Sequence, residues 1–455
     1  MDNTNKSTVI ARKAGLTDKQ KELLAQRLSG KKKSLNKQRI PKRNATKTIP
    51  LSYGQRSLWV TWQLDQASNA YNMSGVLKIS GELNKKAIKK SLTLLLERHE
   101  ILRTCFIASD DNEAQQCIQN EFELPWSEHL FSSDLITENQ AKNLTEKFAK
   151  RPFDLENELP FKACLISLSN DEHQLALNVH HIVADGWSLT IMLNELMAIY
   201  SAVVTEQPIT LPELPIQFAD FSVWQKSWLD SGELTKQLAY WQTQLANCPA
   251  SLPLPYDRKR QPQIKKINQT YDFYFSGTLT QQIKNLVQQS EATLYMGLLA
   301  LFKLTLFRLS GQSDLCIGSP IVNRTKSETH GLIGYLTNVQ VLRTKLDWTS
   351  DFIALLHQVR TTVLAGQTHQ NVPFDMLVDA LKPERISGVH PLFQVKCTQQ
   401  AALPDSYHFS DLEMQLHIDA VDESHFDLSF DFTDTGSEIA GVFNYDSSLF
   451  EASTV

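Results

Sequence analysis

Cysteine is scarce: six in 455 residues, at positions 105, 117, 164, 248, 316 and 397, with no CxxC spacing. Neither a zinc site nor a disulfide framework is indicated, and a reducing cytoplasm is the expected compartment. The start, MDNTNKSTVIARK, lacks an apolar signal segment, and the apolar run MGLLALFKLTLF is broken by Lys303 and Thr305. Neither export nor a membrane span is expected. A charge excess is missing too. With 45 Lys and Arg against 50 Asp and Glu, the net charge of -5 gives no reason to expect nucleic acid or an acidic membrane as partner. What is left is an ordinary soluble globular composition, long enough for two or three compact domains.

Charge is uneven at one place only. GLTDKQKELLAQRLS, residues 15–29, reads as a short helix with Thr17 as cap and an apolar stripe from Leu23, Leu24 and Leu28. The stretch 31–47, KKKSLNKQRIPKRNATK, has no acidic residue and is expected to be a solvated tether, or a docking segment for an acidic partner. Further on, Pro208, Pro212 and Pro215 precede a helix expected to start near Phe218, and a second proline-rich passage spans Cys248 to Pro262. Residues 1–48 are therefore read as helix and linker, 49–225 as an N-terminal lobe and 226–455 as a C-terminal lobe. Beyond the second passage strands and helices alternate: INQTYDFYF, then helix from Leu279 to about Ser310 broken near Thr293, and a final hairpin about the DTG turn. An α/β fold follows from that alternation.

The chain is organised around HHIVADGWS, His180 to Ser188. Before it, Leu175, Leu177, Val179 and His181 alternate as one apolar strand edge, which predicts that His181 points inward. After it, Leu189, Met192, Leu193, Leu196 and Tyr200 stripe a helix that Ser188 is placed to cap. Imidazole titrates near neutrality, so a histidine at such a turn suits proton acceptance or the holding of a nucleophile. Asp185 can pair with a distant cation and fix the turn, or orient the histidine directly. An isolated pair of histidines also fits a satisfied core residue beside a helix cap. Adjacent strand histidines face opposite ways, which argues against a metal.

HHIVADGWS resembles the HHxxxDG motif of the condensation domains of nonribosomal peptide synthetases, which are chloramphenicol acetyltransferase-like acyltransferases. Companion motifs sit in the family's order. Ser52, Gln55, Arg56, Leu58 and Trp59 are similar to its opening motif, and RHEILRTCF, with Arg98, His99 and Arg103, matches RHExLRTxF. QFADFSVWQ resembles the fourth motif through Asp220 and Trp224, with Phe218 where Tyr is usual. DLCIGSPIVNRT and GLIGYLTN resemble a strand, a GSP turn and GxFVNT, with Leu336 for Phe and Val339 for Thr. HQNVPFDML carries Asp375 for Glu, and RISGVHPLFQV keeps Arg385, Pro391 and Leu392.

The resemblance implies a V-shaped pseudo-dimer of two acetyltransferase-like lobes with a tunnel between them. It implies amide formation in which an acceptor aminoacyl-thioester amine attacks a donor acyl or peptidyl thioester. Both would ride on the 4'-phosphopantetheine of donor and acceptor peptidyl carrier proteins beside an adenylation domain, with no cofactor bound by this domain. His181 takes the catalytic place. His180, Asp185, Gly186, Arg324 and Asn338 support it, with an Asp185–Arg324 pair across the lobes, Gly186 allowing close substrate approach and Asn338 at the tunnel. Ser52, Gln55, Arg56, Trp59, Arg98, His99, Arg103, Trp187, Ser188 and Trp224 are expected to pack or line the tunnel. The product class is an antibiotic or other secondary metabolite, and the segment is expected to be monomeric. A starter domain using a fatty acyl donor and an ester-forming relative remain alternatives, as does a non-catalytic platform, although platforms usually have a degraded histidine motif. Epimerases carry a VSWR-like run and cyclases DxxxxD, which this chain lacks. The end at ASTV, short of the family's closing helix, reads as a cut segment of a synthetase that starts at Met1, with a donor arriving in trans.

Overall fold

The computed structural model describes residues 39–44, 48–108, 114–130, 138–261, 266–402, 404, 406–409, 412–418 and 426–455. The expected helix at 15–29 and the basic stretch up to residue 38 lie outside them. Residues 39–44 do not run free in solvent: Ile40 is buried in the N-terminal core, and Arg43 pairs with Glu100 at 2.9 Å and Asp220 at 3.0 Å.

The N-terminal lobe runs β1 (Ile49–Pro50), α1 (Tyr53–Leu64), β2 (Asn72–Ser80), α2 (Lys85–Arg98), β3 (Thr104–Ala108), β4 (Ala114–Ile118), β5 (Trp126–Leu130), α3 (Glu138–Ala149), β6 (Phe161–Ser167), β7 (Glu172–His180) and α4 (Gly186–Val204). Local chemistry sets the helix starts. Ser52 and Gln55 form a reciprocal capping box at α1, and Asn84 Oδ1 accepts from the Ala87 amide at α2. Ile88, Leu92, Leu95 and Leu96 on α2 pack in one core with Met192, Leu193, Leu196 and Tyr200 of α4. The Tyr200 hydroxyl accepts from the Asn84 amide at 3.1 Å, tying the two helices at one end. α4 is long and apolar enough to cross a membrane, but here it is a core helix.

Two helices lead out of this lobe: α5 (Phe218–Trp228) and, after a π-helical turn at Leu229–Glu233, α6 (Leu234–Gln244). The C-terminal lobe follows as β8 (Asn268–Phe275), α7 (Gly277–Gln289), α8 (Leu294–Ser310), β9 (Asp314–Ile321), β10 (Asn338–Lys345), α9 (Phe352–Thr368), α10 (Phe374–Leu381) and β11 (Val395–Gln400). The expected break near Thr293 is a bend of 104° between α7 and α8, with Thr293 capping the second helix. Gly318 to Pro320, read as a turn, lies inside β9, where the three residues pair with Val341, Gln340 and Val339 of β10.

The chain then returns to the first lobe. β12 (Tyr407–Phe409) and β13 (Leu412–Ile418) extend the N-terminal sheet in the order β12-β13-β2-β7-β6-β5, with Glu413 opposite Ser80 and Ile418 opposite Gly75. β14 (Leu428–Asp434) and β15 (Ile439–Asp446) form the expected hairpin within the sheet β10-β9-β11-β14-β15-β8. The division at residues 225 and 226 needs correction on two counts. It cuts α5, and the part after it is not wholly the second lobe, because β12 and β13 cover the edge of β2.

Candidate active site at the lobe junction

β7 ends at His180, and every residue from His173 to His180 is buried. The predicted edge of Leu175, Leu177 and Val179 does face the core, and the opposite sheet face is buried as well, Ala141 of α3 packing there with Cys164, Ile166 and Ala176. At the strand end the buried side chain is His180, against Phe153 and Tyr71, and His181 stands half-buried just past it. His180 Nδ1 accepts from the Ile182 amide at 3.1 Å, and its ring meets Phe153 edge-on at 5.9 Å. Burial, with the adjacent His181 adding to it, pushes the His180 pKa down to about 3, so the ring is neutral at physiological pH.

His181 is anchored twice. Its amide donates to the Tyr71 carbonyl at 2.8 Å, and Nδ1 lies 2.6 Å from the Ala184 carbonyl. A carbonyl can only accept, so Nδ1 carries a proton, and in the neutral ring the lone pair is then on Nε2. The Tyr335 ring packs on the imidazole at 5.0 Å with an interplanar angle of 76°.

The turn that presents His181 is closed by Asp185, which is wholly buried. Asp185, rather than Ser188, is the N-cap of α4: Oδ1 accepts from the Ser188 amide at 2.8 Å and stands 2.7 Å from the Ser188 hydroxyl. The same oxygen accepts from Arg324 Nη2 at 3.0 Å, while Oδ2 accepts from the Leu336 amide at 3.2 Å. Arg324 Nη1 donates to the carbonyls of Thr329 and Leu332, both at 2.6 Å. Burial lowers the Arg324 pKa, and the Asp185 charge opposes that shift. The pair thus joins the first turn of α4 to the segment after β9.

The remaining motif residues spread outward from this centre. Gln55 Nε2 donates to the Ile182 carbonyl at 3.2 Å, so the opening motif touches the turn through Gln55; Ser52 caps, Trp59 packs on the core and Arg56 is exposed. Gly186 is exposed, and a Cβ there would meet nothing within 4 Å. Trp187 is 43% exposed and donates to the His330 carbonyl at 3.1 Å. Asn338 Nδ2 donates to the carbonyls of Gln370 at 2.9 Å and Val372 at 2.6 Å, holding the HQNVPF loop against β10. Trp224 stacks on Trp228 at 5.6 Å, and Lys326 Nζ lies 5.8 Å from its ring, linking α5 to the segment after β9.

Arg98 and His99 converge on Glu195 of α4, at 3.0 Å and 2.7 Å, and Arg103 donates to the Gln119 carbonyl at 2.6 Å. Burial alone would raise the Glu195 pKa, but His99 and then Arg98 outweigh it and hold the carboxyl below its usual range. Sequence reasoning missed Glu195, although a lone acidic residue in the apolar run LTIMLNELMAIY was a signal. It also missed Tyr335, for which a variable motif position gave none. Phe218, lacking the hydroxyl usual at its position, is buried beneath Gly334, where any Cβ would fall 1.9 Å from its ring.

A family model described as the condensation domain matches residues 45–455. Malpibaldin synthetase of Mortierella alpina is 36% identical over 91% of this chain, which covers 8% of that protein. Phosphinothricin tripeptide synthetase PhsC of Streptomyces viridochromogenes is 34% identical over 97% of this chain and 41% of its own length. The chain therefore spans less than half of these relatives. Among solved structures, the X-domain in its complex with OxyB from teicoplanin biosynthesis superposes with a TM-score of 0.81 at 23% identity, covering 92% of each chain. The starter condensation domain of rhizomide synthetase superposes at 0.75 and 18% identity, covering 89% of this chain and 91% of that one. Those likenesses fix the two-lobed fold, and with the family match and the synthetase relatives they place this chain among the condensation domains, the amide-forming acyltransferases of nonribosomal peptide synthetases.

Proposed function

We propose that this chain joins an acceptor aminoacyl thioester to a donor acyl or peptidyl thioester, each on the 4'-phosphopantetheine arm of a peptidyl carrier protein supplied by the surrounding synthetase. The observation that carries the reading is the Nδ1 contact of His181 with the Ala184 carbonyl, which leaves Nε2 able to accept a proton or hold an amine N–H. As the amine nitrogen attacks the thioester carbonyl, a C–N bond forms and the ammonium proton passes to Nε2. Collapse of the tetrahedral adduct breaks the C–S bond, and the proton ends on the departing pantetheine thiol. An α-amine has an ordinary pKa of about 8, so part of it is neutral near pH 7 and alignment carries much of the rate. Orientation of two bound reactants lowers a barrier by up to roughly 7–11 kcal/mol. The reactants would meet in a tunnel between the lobes, beside the open face of Gly186. The cytoplasmic setting belongs to the same proposal and is supported by six free thiols.

A platform reading is kept because the X-domain is a structural neighbour solved in complex with another protein. Intact-protein mass spectrometry of loaded donor and acceptor carriers decides between the two. Transfer of the acyl mass by the wild type, lost in His181→Ala, is the expected result. No transfer across a broad donor panel would favour the platform, and transfer that survives in the variant would make His181 dispensable.

A further inference from the structure

We infer that Tyr335 is a positioning residue for the reaction, holding the His181 imidazole in its working orientation from the opposite lobe; this rests on the amide-forming role of His181. The residues on either side of Tyr335 are pinned to the first turn of α4. The Gly334 amide donates to the Ser188 hydroxyl at 3.0 Å, and the Leu336 amide donates to Asp185 Oδ2 at 3.2 Å. Between these fixed points the Tyr335 side chain meets His181, ring centroids 5.0 Å apart and planes at 76°. That edge-to-face arrangement is one that aromatic rings favour.

α1 also borders the ring. A Cβ on Gly54 would stand 2.8 Å from Tyr335 Cε1 and 2.9 Å from Cδ1. Glycine at that position is what lets the tyrosine lie against α1 while it touches the imidazole, because the smallest side chain would already collide with it. The backbone bond from Nδ1 fixes one end of the imidazole. A hydrogen bond to one nitrogen still allows the ring to rock about it. The tyrosine wall removes that freedom, so Nε2 keeps one direction.

The contact also crosses the junction, since His181 follows β7 while Tyr335 precedes β10. The ring is in place only when the segment between β9 and β10 is docked on Asp185 and Ser188. The C-terminal lobe thereby sets the orientation of the N-terminal lobe's histidine. The contact with His181 is made by the tyrosine ring rather than by its hydroxyl.

The test combines turnover with a direct view of the imidazole, in this chain with loaded carriers. Tyr335→Phe should keep kcat. Tyr335→Ala should lower kcat about tenfold with KM for the acceptor carrier unchanged, because small displacements of reacting groups carry penalties of that order and more. Gly54→Ala should give the same split by displacing the ring. Histidine-selective 15N spectra, with the His181 signal assigned by its loss in His181→Ala, should show an Nδ1-protonated imidazole in wild type and Tyr335→Phe. In Tyr335→Ala the shifts should move toward tautomer averaging. Tyr335→Leu stands in where the alanine variant does not fold. Unmoved His181 shifts together with wild-type kcat in the alanine or leucine variant would overturn the inference, as would a phenylalanine variant as slow as alanine. If no variant and no wild type transfers acyl groups, the spectra still report the tyrosine's hold on the imidazole, separating that failure from failure of the proposed reaction.

Discussion

Arg324 meets Asp185 at 3.0 Å across the lobe junction, and the aspartate accepts from Arg324, Ser188, Leu336 and Thr337 rather than from the His181 ring. Of the two roles open to the motif aspartate, pairing with a distant cation is the one seen; the imidazole is oriented by the Ala184 carbonyl. Removing one partner of a buried pair strands the other charge, a loss of about 3–5 kcal/mol. Arg324→Met should lower unfolding stability by that amount in urea titrations and reduce transfer with it. A loss under about 1 kcal/mol would mean that the junction closes without the pair.

Acid should weaken the fold through His180. Its folded pKa is about 3, whereas an unfolded histidine titrates near 6.5, so below that value the unfolded chain binds a proton that the folded chain does not. Stability contributed by the neutral ring is present above about pH 6.5 and is lost as pH falls toward 3, by up to about 1.4 kcal/mol per unit. His173, also lowered chiefly by burial, acts in the same direction. Urea titrations at about pH 7 and about pH 5 should show a smaller difference in His180→Gln than in wild type. An equal difference would remove His180 as a source of acid sensitivity.

Gly186 separates folding from catalysis. A methyl group there touches nothing within 4 Å, so Gly186→Ala should leave stability within about 1 kcal/mol of wild type. If substrate passes against this backbone, acyl transfer should slow in the alanine variant and fall further in Gly186→Leu. Undiminished transfer by the leucine variant would place the substrate elsewhere.

Glu195 offers the complementary separation. Replacing it with Leu takes the shared carboxylate from Arg98 and His99, leaving Arg98 the Pro212 carbonyl, with an expected loss of about 1–3 kcal/mol. The combined variant with His99→Leu should lose less than the sum, because the two share one network. Turnover below the unfolding range should persist, since the network bonds α2 to α4 and not to the His181 turn. Full additivity in a denaturation cycle would show that the residues act separately.

Elements governed by neighbouring residues were legible: the α4 stripe, the break at Thr293, the β14–β15 hairpin and the proline-delayed start of α5. Arg324 was legible through a motif that couples it to Asp185 over a long separation. Reading failed where a third element decides the outcome. The buried side chain at the end of β7 is His180, on a second sheet face that α3 and Phe153 cover, and no alternation within β7 encodes that cover. The α4 cap moved from Ser188 to Asp185 because the carboxylate bonds both the amide and the hydroxyl of that serine. Tyr335 and Glu195 gain their meaning from partners on other elements, which spacing along the chain does not report.

The passage of β12 and β13 into the N-terminal sheet bears on how such domains can be recombined. A fragment ending before residue 407 would leave the rim of β2, from Gly75 to Ser80, with bare amides and carbonyls, a ready template for a foreign strand. The lobes are consequently poor interchangeable cassettes when cut at the helical linker. A graft that takes the first lobe from one synthetase should bring residues 407–418 with it, or redesign that rim to repel a stranger.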